Sequence, residues 1–118
     1  MNNFRELKVW LKARAIVKDV YLLTKQFPND EKYALTSQIK RVTTSISSNI
    51  AEGSRISTNP DFAKFLDISL GSCYEVENDF ILASDLLFIS ENELKTIISK
   101  IIEIERMLVG LLNSIRKK

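Results

Sequence analysis

The sequence predicts an all-α protein, an up-down antiparallel bundle of four helices. Only 3 of the 118 residues are glycine and 2 are proline, so few positions interrupt a helix. Apolar residues recur at steps of three and four in four successive segments, as they do on one face of a helix. The connections between these segments are short, so neighbouring helices should run antiparallel. At this length we expect residues 1–118 to form a single domain.

The first helix is predicted from about Arg5 to Gln26. It ends at Phe27-Pro28, because the residue before a proline avoids the α region. A second apolar stripe (Trp10, Val17 and Tyr21) lies beside the main one, which makes this face wide. The main stripe comprises Val9, Ala13, Ile16, Val20, Leu23 and Phe27.

The second helix should begin near Asn29 or Asp30, since either side chain can cap a helix N-terminus. Asn49 is the polar member of its seam, and two roles remain open for it. It could set register or oligomeric state, as a seam asparagine can, or it could bond a chain turn next to Gly53. Gly53 either ends the helix or permits a neighbour to approach closely. The seam that predicts the helix is Leu35, Ile39, Val42, Ile46, Asn49 and Gly53, and Ile50 adds apolar area beside it.

The third helix has the strongest start signal in the chain. Thr58 and Asp61 resemble a capping box with aspartate in place of the usual glutamate, and Pro60 falls in the first turn, where its missing N–H costs nothing. Gly71 lies in mid-helix among other small residues, which predicts tight packing against a neighbouring backbone. The seam consists of Phe62, Leu66, Ser69, Cys73, Val76, Phe80, Ala83 and Leu87.

The fourth helix should start at a capping box formed by Ser90 and Glu93. Like the first helix, it has two adjacent apolar stripes. Faces this wide exceed what the core of one small bundle needs, which favours self-association of the protein. The first stripe is Leu94, Ile97, Ile101, Ile104, Leu108, Leu111 and Ile115, and the second is Ile98, Ile102, Val109 and Leu112.

The composition argues against an enzyme, a metal site or a cofactor. Histidine is absent, which excludes a histidine-based triad and an imidazole metal ligand. No two carboxylates stand three residues apart, and no glycine-rich phosphate loop is present. Glu52 and Glu75 could be read as a catalytic pair, but helix capping or pairing with Arg41 and Arg55 is the favoured interpretation.

Several features predict a cytoplasmic protein that does not enter a membrane. The N-terminal segment lacks the apolar core of a signal peptide, and no apolar run approaches 18 residues. The single cysteine, Cys73, cannot form an intrachain disulfide, which fits a reducing compartment. Since Cys73 falls on an apolar stripe, we expect an inert core thiol.

Charge is distributed unevenly along the chain. Residues 1–60 carry 10 basic and 5 acidic side chains, whereas residues 61–90 carry one basic side chain and six acidic ones. Lys40 and Arg41, among threonines and serines, are what phosphate contacts require. The alternatives are a solvated face, or salt bridges to the acidic third helix of the same or another subunit. The candidate nucleic-acid-binding residues are Arg14, Lys18, Lys40, Arg41 and Arg55.

Several short segments between positions 7 and 75 form an ordered set. They include Leu7-Lys8-Val9-Trp10, Tyr33-Ala34-Leu35-Thr36-Ser37-Gln38-Ile39, Ser48-Asn49-Ile50-Ala51-Glu52-Gly53-Ser54 and Leu70-Gly71-Ser72. This set resembles the four-helix-bundle family of 23S rRNA intervening-sequence proteins. The fourth helix matches in pattern only, and Ser47 stands where the family usually has proline.

This resemblance implies a cytoplasmic, prokaryotic four-helix bundle that assembles as a ring-like homopentamer. The family is related to the accessory variability determinant of diversity-generating retroelements, which has a basic surface and binds nucleic acid and a reverse transcriptase. Together with the charge distribution, the resemblance favours a non-enzymatic, oligomeric binding or adaptor protein that contacts RNA or DNA. The alternative is a scaffold whose basic residues bind an acidic protein partner or its own acidic helix. A small helical nuclease is disfavoured by the missing histidine.

Overall fold

The structure, a computed structural model, describes residues 3–56 and 58–117 and confirms the predicted all-α bundle. Short 3₁₀ helices precede the first and second α-helices, at Phe4–Glu6 and Asn29–Glu31. The α-helices are α1 (Lys8–Thr24), α2 (Leu35–Ser54), α3 (Asn59–Asp85) and α4 (Glu91–Arg116).

Each helix packs against two neighbours, in the order α1, α2, α3, α4 and back to α1. Within the described parts of the chain, the diagonal pairs do not contact each other. Short connections make successive helices antiparallel, so the bundle is long and narrow, 46 by 23 by 20 Å. The loops joining α1 to α2 and α3 to α4 therefore lie at one end, and the loop joining α2 to α3 lies at the other.

The core is formed by the predicted apolar seams of all four helices, with one exception. Leu87 was predicted on the seam of α3, which is wrong: α3 ends at Asp85, and Leu87 lies in the following loop, 88% exposed. Burying these side chains is the main stabilising contribution, about 1.5–3 kcal/mol for each large aliphatic or aromatic residue. In the second stripe of α1, Trp10 and Val17 are partly buried and Tyr21 is exposed. Ile98 and Ile102 on α4 are partly buried. The largest fully buried side chains are Ile16, Val20, Ile39, Ile46, Ile50, Leu66, Val76, Phe80, Ile97, Ile101, Ile104 and Leu108.

The predicted start of the first helix is wrong by one turn. Leu7 has an extended backbone (φ −73°, ψ 123°), so the 3₁₀ turn before it is separate and α1 begins at Lys8. The turn is capped locally, because the Asn3 side chain accepts a hydrogen bond from the Arg5 backbone N–H at 3.1 Å. At its other end α1 stops at Thr24, just before the predicted limit.

The predicted N-cap of the second helix is also wrong. Asn29 and Asp30 lie in the 3₁₀ turn that follows Pro28, and α2 starts only at Leu35. The residue before it, Ala34, has φ −119° and ψ −111°, which breaks the helical path. The first N–H of α2 instead bonds a side chain four residues earlier: the Glu31 carboxylate accepts a 3.4 Å hydrogen bond from the Leu35 N–H.

The two predicted capping boxes differ. At α4 the box is complete: the Ser90 hydroxyl accepts from the Glu93 N–H at 3.1 Å, and the Glu93 carboxylate accepts from the Ser90 N–H at 2.9 Å. At α3 the Thr58 hydroxyl instead donates to the Asp61 carboxylate at 2.7 Å, and no side chain caps the backbone. The shorter aspartate side chain meets the hydroxyl before it can reach back to the threonine N–H.

The glycines of α2 and α3 have opposite environments. A Cβ on Gly53 would lie 2.6 Å from the Cβ of Phe65, so α3 approaches the last turn of α2 closely there. The prediction that Gly71 allows close packing is wrong for this chain, because a Cβ at Gly71 would meet nothing within 4 Å. The contact to α2 comes from its small neighbours: Ser69 donates to the Ile46 carbonyl at 2.9 Å and Ser45 donates to the Ser72 hydroxyl at 2.7 Å.

The seam asparagine of α2 bonds its own helix. The Asn49 side chain donates to the Ser45 carbonyl at 2.8 Å, instead of bonding a turn beside Gly53. The helix also continues without interruption through Ser47, the position where the resemblance leads us to expect proline.

Candidate functional site

Two of the candidate basic residues lie along one side of α1. Arg14, Lys18 and Tyr21 occupy positions i, i+4 and i+7, which fall on the same stripe of a helix. Both cationic side chains are exposed. The Arg14 guanidinium lies 5.6 Å from the centre of the ring of Trp10, which is one turn earlier on α1. This is a cation–π distance, so the contact helps to hold the Arg14 side chain in place.

Lys40 joins this stripe from α2. Its ammonium lies 4.6 Å from the centre of the Tyr21 ring, so the contact links the two helices directly. Since α1 and α2 are antiparallel, the residues after Lys40 run alongside the residues that precede Tyr21 on α1. Arg41, the next residue, is exposed on the outer side of α2. We call Arg14, Lys18, Lys40 and Arg41 together the basic face.

The hydroxyl groups beside the basic face are already engaged as donors. Thr44 donates to the Arg41 carbonyl at 2.9 Å, and Ser47 and Ser48 both donate to the Thr44 carbonyl. Such bonds back to the preceding turn are common for hydroxyl residues within helices. The sequence suggested hydroxyl donors for a phosphate, but this surface offers mainly positive charge.

The basic face takes no part in the ion pairs found in residues 3–56 and 58–117. Salt bridges from it to α3, one of the alternatives left open by the sequence, are therefore not formed there. The pairs that do form are exposed, so each contributes no more than about 1 kcal/mol. They are Lys12–Glu103, Arg55–Glu52, Lys100–Asp19 and Arg116–Asp67.

Arg55 differs from the residues of the basic face in its position and its pairing. It lies 15 residues beyond Lys40, which is about 22 Å along a helix. Its guanidinium is also paired with Glu52, with N–O distances of 3.1 and 2.9 Å. This confirms Glu52 as a partner of Arg55.

Glu52 and Glu75 are too far apart to act as a catalytic pair. The bond between Ser45 and Ser72 fixes the register of the antiparallel helices α2 and α3. Glu52 lies seven residues beyond Ser45 and Glu75 lies three residues beyond Ser72, so the two diverge in opposite directions. At 1.5 Å per residue, they are separated by about 15 Å along the bundle.

A buried acid pair between α3 and α4 was missed by the sequence interpretation. Glu105 is only 8% exposed, and its Oε2 atom has no hydrogen-bond partner among the described residues. Burial raises the pKa of Glu105 to about 8, with further contributions from a hydrogen bond with Glu77 and from the Glu77 charge. The group therefore retains its proton at neutral pH. Glu105 occupies the position between Ile102 and Val109 on the second apolar stripe of α4. A carboxylate on an apolar stripe was the one sequence signal that could have revealed its burial.

The acid pair also bears on the nearby thiol. Burial, followed by the charges of Glu105 and Glu77, raises the pKa of Cys73 to about 12. A thiol that stays protonated is a poor nucleophile and a poor metal ligand, in agreement with the expected inert core cysteine. In the described part of the chain, no group of three or more Cys, Asp or Glu residues is placed to hold a metal ion.

These features define a class: a small all-α bundle whose basic face, on one pair of helices, forms no ion pair with another residue that the structure describes. No described helix is both long and apolar enough to cross a bilayer. The chain belongs to the 23S rRNA-intervening sequence protein family, which it matches over residues 5–110. The resemblance inferred from residues 7–75 is thereby confirmed, and it extends through most of α4.

A solved structure supports this assignment. It is a protein of unknown function from the S23 ribosomal protein family of Bacteroides thetaiotaomicron, and it is 27% identical to this chain. The alignment covers 88% of this chain and 97% of the other, with a TM-score of 0.81. A search of curated proteins finds no match.

Proposed function

We propose that this protein is a non-enzymatic, homo-oligomeric binding or adaptor protein that contacts RNA or DNA through the basic face. The observation that carries the proposal is the grouping of Arg14, Lys18, Lys40 and Arg41 on one helix pair, without an acidic partner among the described residues. Positive charge that no described residue neutralises is available to a polyanion.

The chemistry of the face favours the phosphate backbone over the bases. Its two aromatic neighbours, Trp10 and Tyr21, already have Arg14 and Lys40 against their rings. A nucleobase would have to displace these cations before it could stack. Phosphate contacts carry no sequence information themselves, so binding should tolerate changes in sequence and weaken steeply with salt.

Homo-oligomerisation would multiply this charge. Large apolar side chains remain exposed on both α1 and the α3–α4 side: Leu11, Leu22, Tyr74, Ile81 and Val109. Contact between two different faces of successive subunits is heterologous, and it closes into a ring when the rotation between subunits divides a full turn. We propose a ring-like homopentamer, the state implied by the family resemblance. Its sedimentation mass would be five times the chain mass of 13.5 kDa.

The binding proposal is tested with matched charge reversals. Lys40→Glu/Arg41→Glu changes the basic face, whereas Lys95→Glu/Arg106→Glu makes the same change in net charge at exposed positions of α4. Fluorescence anisotropy with a labelled RNA at low salt should show a loss of at least about tenfold in affinity for the first variant only. Equal losses in both variants would show that binding depends on net charge and not on the basic face. Unchanged binding by the first variant would refute the basic face as the site.

The alternative function is a scaffold for an acidic protein partner. The lack of a free aromatic ring on the basic face favours it, because an acidic protein needs no stacking. Affinity capture from the host, with and without nuclease, separates the two. A single protein retained after nuclease treatment supports the scaffold, whereas nucleic acid recovered only without nuclease supports our proposal. The single thiol and the resemblance favour a cytoplasmic setting for either function.

A further inference from the structure

Leu87, in the loop that joins α3 to α4, has a backbone conformation that usually belongs to glycine. Its φ is 64°, and it has the only positive φ among the described non-glycine residues. The Phe88 N–H donates to the Ala83 carbonyl and the Leu87 N–H donates to the Ser84 carbonyl, both at 2.9 Å. This is the Schellman arrangement that ends many helices, in which glycine is the usual residue at the position of Leu87.

Leucine is unfavourable here for two independent reasons. A branched side chain in the left-handed region costs about 1–2 kcal/mol relative to glycine. The side chain gains almost nothing in return, because it is 88% exposed. Leu86, the preceding residue, is also largely exposed, at 57%. The two following residues are held in the bundle: Phe88 packs on Phe27 with ring centres 5.3 Å apart, and Ile89 is buried. Leu86 and Leu87 therefore project from the end of the bundle as an apolar knob.

Acidic residues flank this knob. Asp85 precedes it and Glu91 follows it, and both are exposed. Neither takes part in an ion pair within residues 3–56 and 58–117. A surface that accepts the knob should consequently combine an apolar hollow with basic residues.

The opposite end of the bundle has this combination. A cavity of about 370 Å³ lies where the start of α3 meets the end of α4. Pro60, Ala63 and Ile115 supply its apolar lining, and Lys64 and Arg116 also line it. Arg116 is paired with Asp67, so Lys64 is the basic residue that matters for a partner. Lys64 is exposed and forms no ion pair with another described residue, so its charge is available to a partner.

We propose that two copies of the chain dock end to end, with Leu86 and Leu87 of one copy in the hollow beside Lys64 of the next. The contact joins different surfaces of the two copies, so it is heterologous and extends along the bundle axis. It differs from the side-by-side contacts of the proposed ring and does not depend on them. This contact gives the exposed leucine a role, since no burial within the described chain offsets its unfavourable conformation.

The size of the contact sets its strength. The bundle is 23 by 20 Å across, so one end offers on the order of 400 Å² per partner, about half of what a stable protein–protein interface buries. A single end contact should therefore be weak and concentration-dependent. Growth of the particles along one axis distinguishes it from lateral assembly.

Small-angle scattering and sedimentation velocity over protein concentrations from about 10 µM to 1 mM test the proposal, a range that covers weak association. For the wild type, the maximum dimension should grow in steps close to the 46 Å bundle length. Leu87→Gly should keep the protein at its smallest species. The same substitution should raise the thermal midpoint by about 4 °C or more, because it relieves the strained backbone. A purely structural leucine would not link these opposite effects.

Charge reversals identify the two ends that meet. Asp85→Lys and Lys64→Glu suit their places near the C-terminus and N-terminus of α3, so neither should destabilise the helix. Each alone should reduce end-to-end association several-fold, and the double variant should restore it. The proposal is overturned if the wild type shows no axial growth, if Leu87→Gly associates like the wild type, or if the double variant shows no recovery.

Discussion

Replacing Glu105 with glutamine should make the protein less sensitive to alkaline pH. In the folded protein, burial and Glu77 raise the pKa of Glu105 from 4.5 to about 8. Between these two values the folded state retains a proton that the unfolded state has lost. The stability of the wild type should then fall as pH rises, by about 1.4 kcal/mol for each pH unit within this window. Below pH 4.5 both states are protonated, so stability is highest there and no longer depends on pH through this group.

From pH 5 to pH 7 this amounts to about 3 kcal/mol, a large part of the 5–15 kcal/mol typical of a whole domain. Glutamine is nearly isosteric and stays neutral, so it removes the dependence. Urea unfolding of wild type and Glu105→Gln should be measured at several pH values and one fixed protein concentration, since oligomers are stabilised by mass action. The stability difference between variant and wild type should increase in favour of the variant as pH rises from 5 to 8.

Glu103→Gln is the matched control, because Glu103 is two residues away but exposed and paired with Lys12. It should lose no more than about 1 kcal/mol, with little change across the same pH range. Parallel stability curves for wild type and Glu105→Gln would show that Glu105 is already ionised in the folded protein. That result would refute the conclusion that Glu105 is protonated in the folded protein.

Three further substitutions test the packing and capping. Gly53→Ala should destabilise the bundle by about 1–3 kcal/mol in urea unfolding, because its Cβ would lie 2.6 Å from the Phe65 Cβ. Gly71→Ala should stabilise it by up to about 1 kcal/mol in the same assay, because the new methyl group meets open space; a loss at Gly71 would instead reveal a neighbour that approaches it in an oligomer. Ser90→Ala should lower the thermal stability by about 1 kcal/mol through loss of the capping box, and an unchanged melting curve would contradict that role.

The sequence predicted those parts of the fold that depend on local patterns. The Ser90–Glu93 box has its usual residues at the usual spacing, and it forms as predicted. The prediction that Asn29 or Asp30 caps α2 failed because a separate 3₁₀ turn follows Pro28. More irregular chain comes after this turn before α2 begins at Leu35. Local propensity identifies residues that can cap a helix, but tertiary packing decides where the helix starts.

The features that the sequence did not predict depend on contacts between helices. Glu105 becomes buried against Glu77 because of the register between α3 and α4, which no pattern within α4 reveals. The basic face was predicted by residue type, but only the contact of Lys40 with Tyr21 shows that α1 and α2 contribute to one surface. Arg55 is set apart by its ion pair with Glu52, which also depends on the folded structure. Backbone strain at Leu87 follows from a turn geometry that normally selects glycine.

The salt dependence of nucleic-acid binding tests the proposed function most directly. Four phosphate contacts on a single strand should give a slope of about −3 in a plot of log affinity against log salt concentration for each engaged subunit. Lys40→Glu/Arg41→Glu should reduce the magnitude of that slope by at least about 1.4, while Lys95→Glu/Arg106→Glu leaves it unchanged. This pair of results is what we expect. A slope near zero, or no binding of RNA or DNA at low salt, would contradict the proposal that the basic face binds a phosphate backbone.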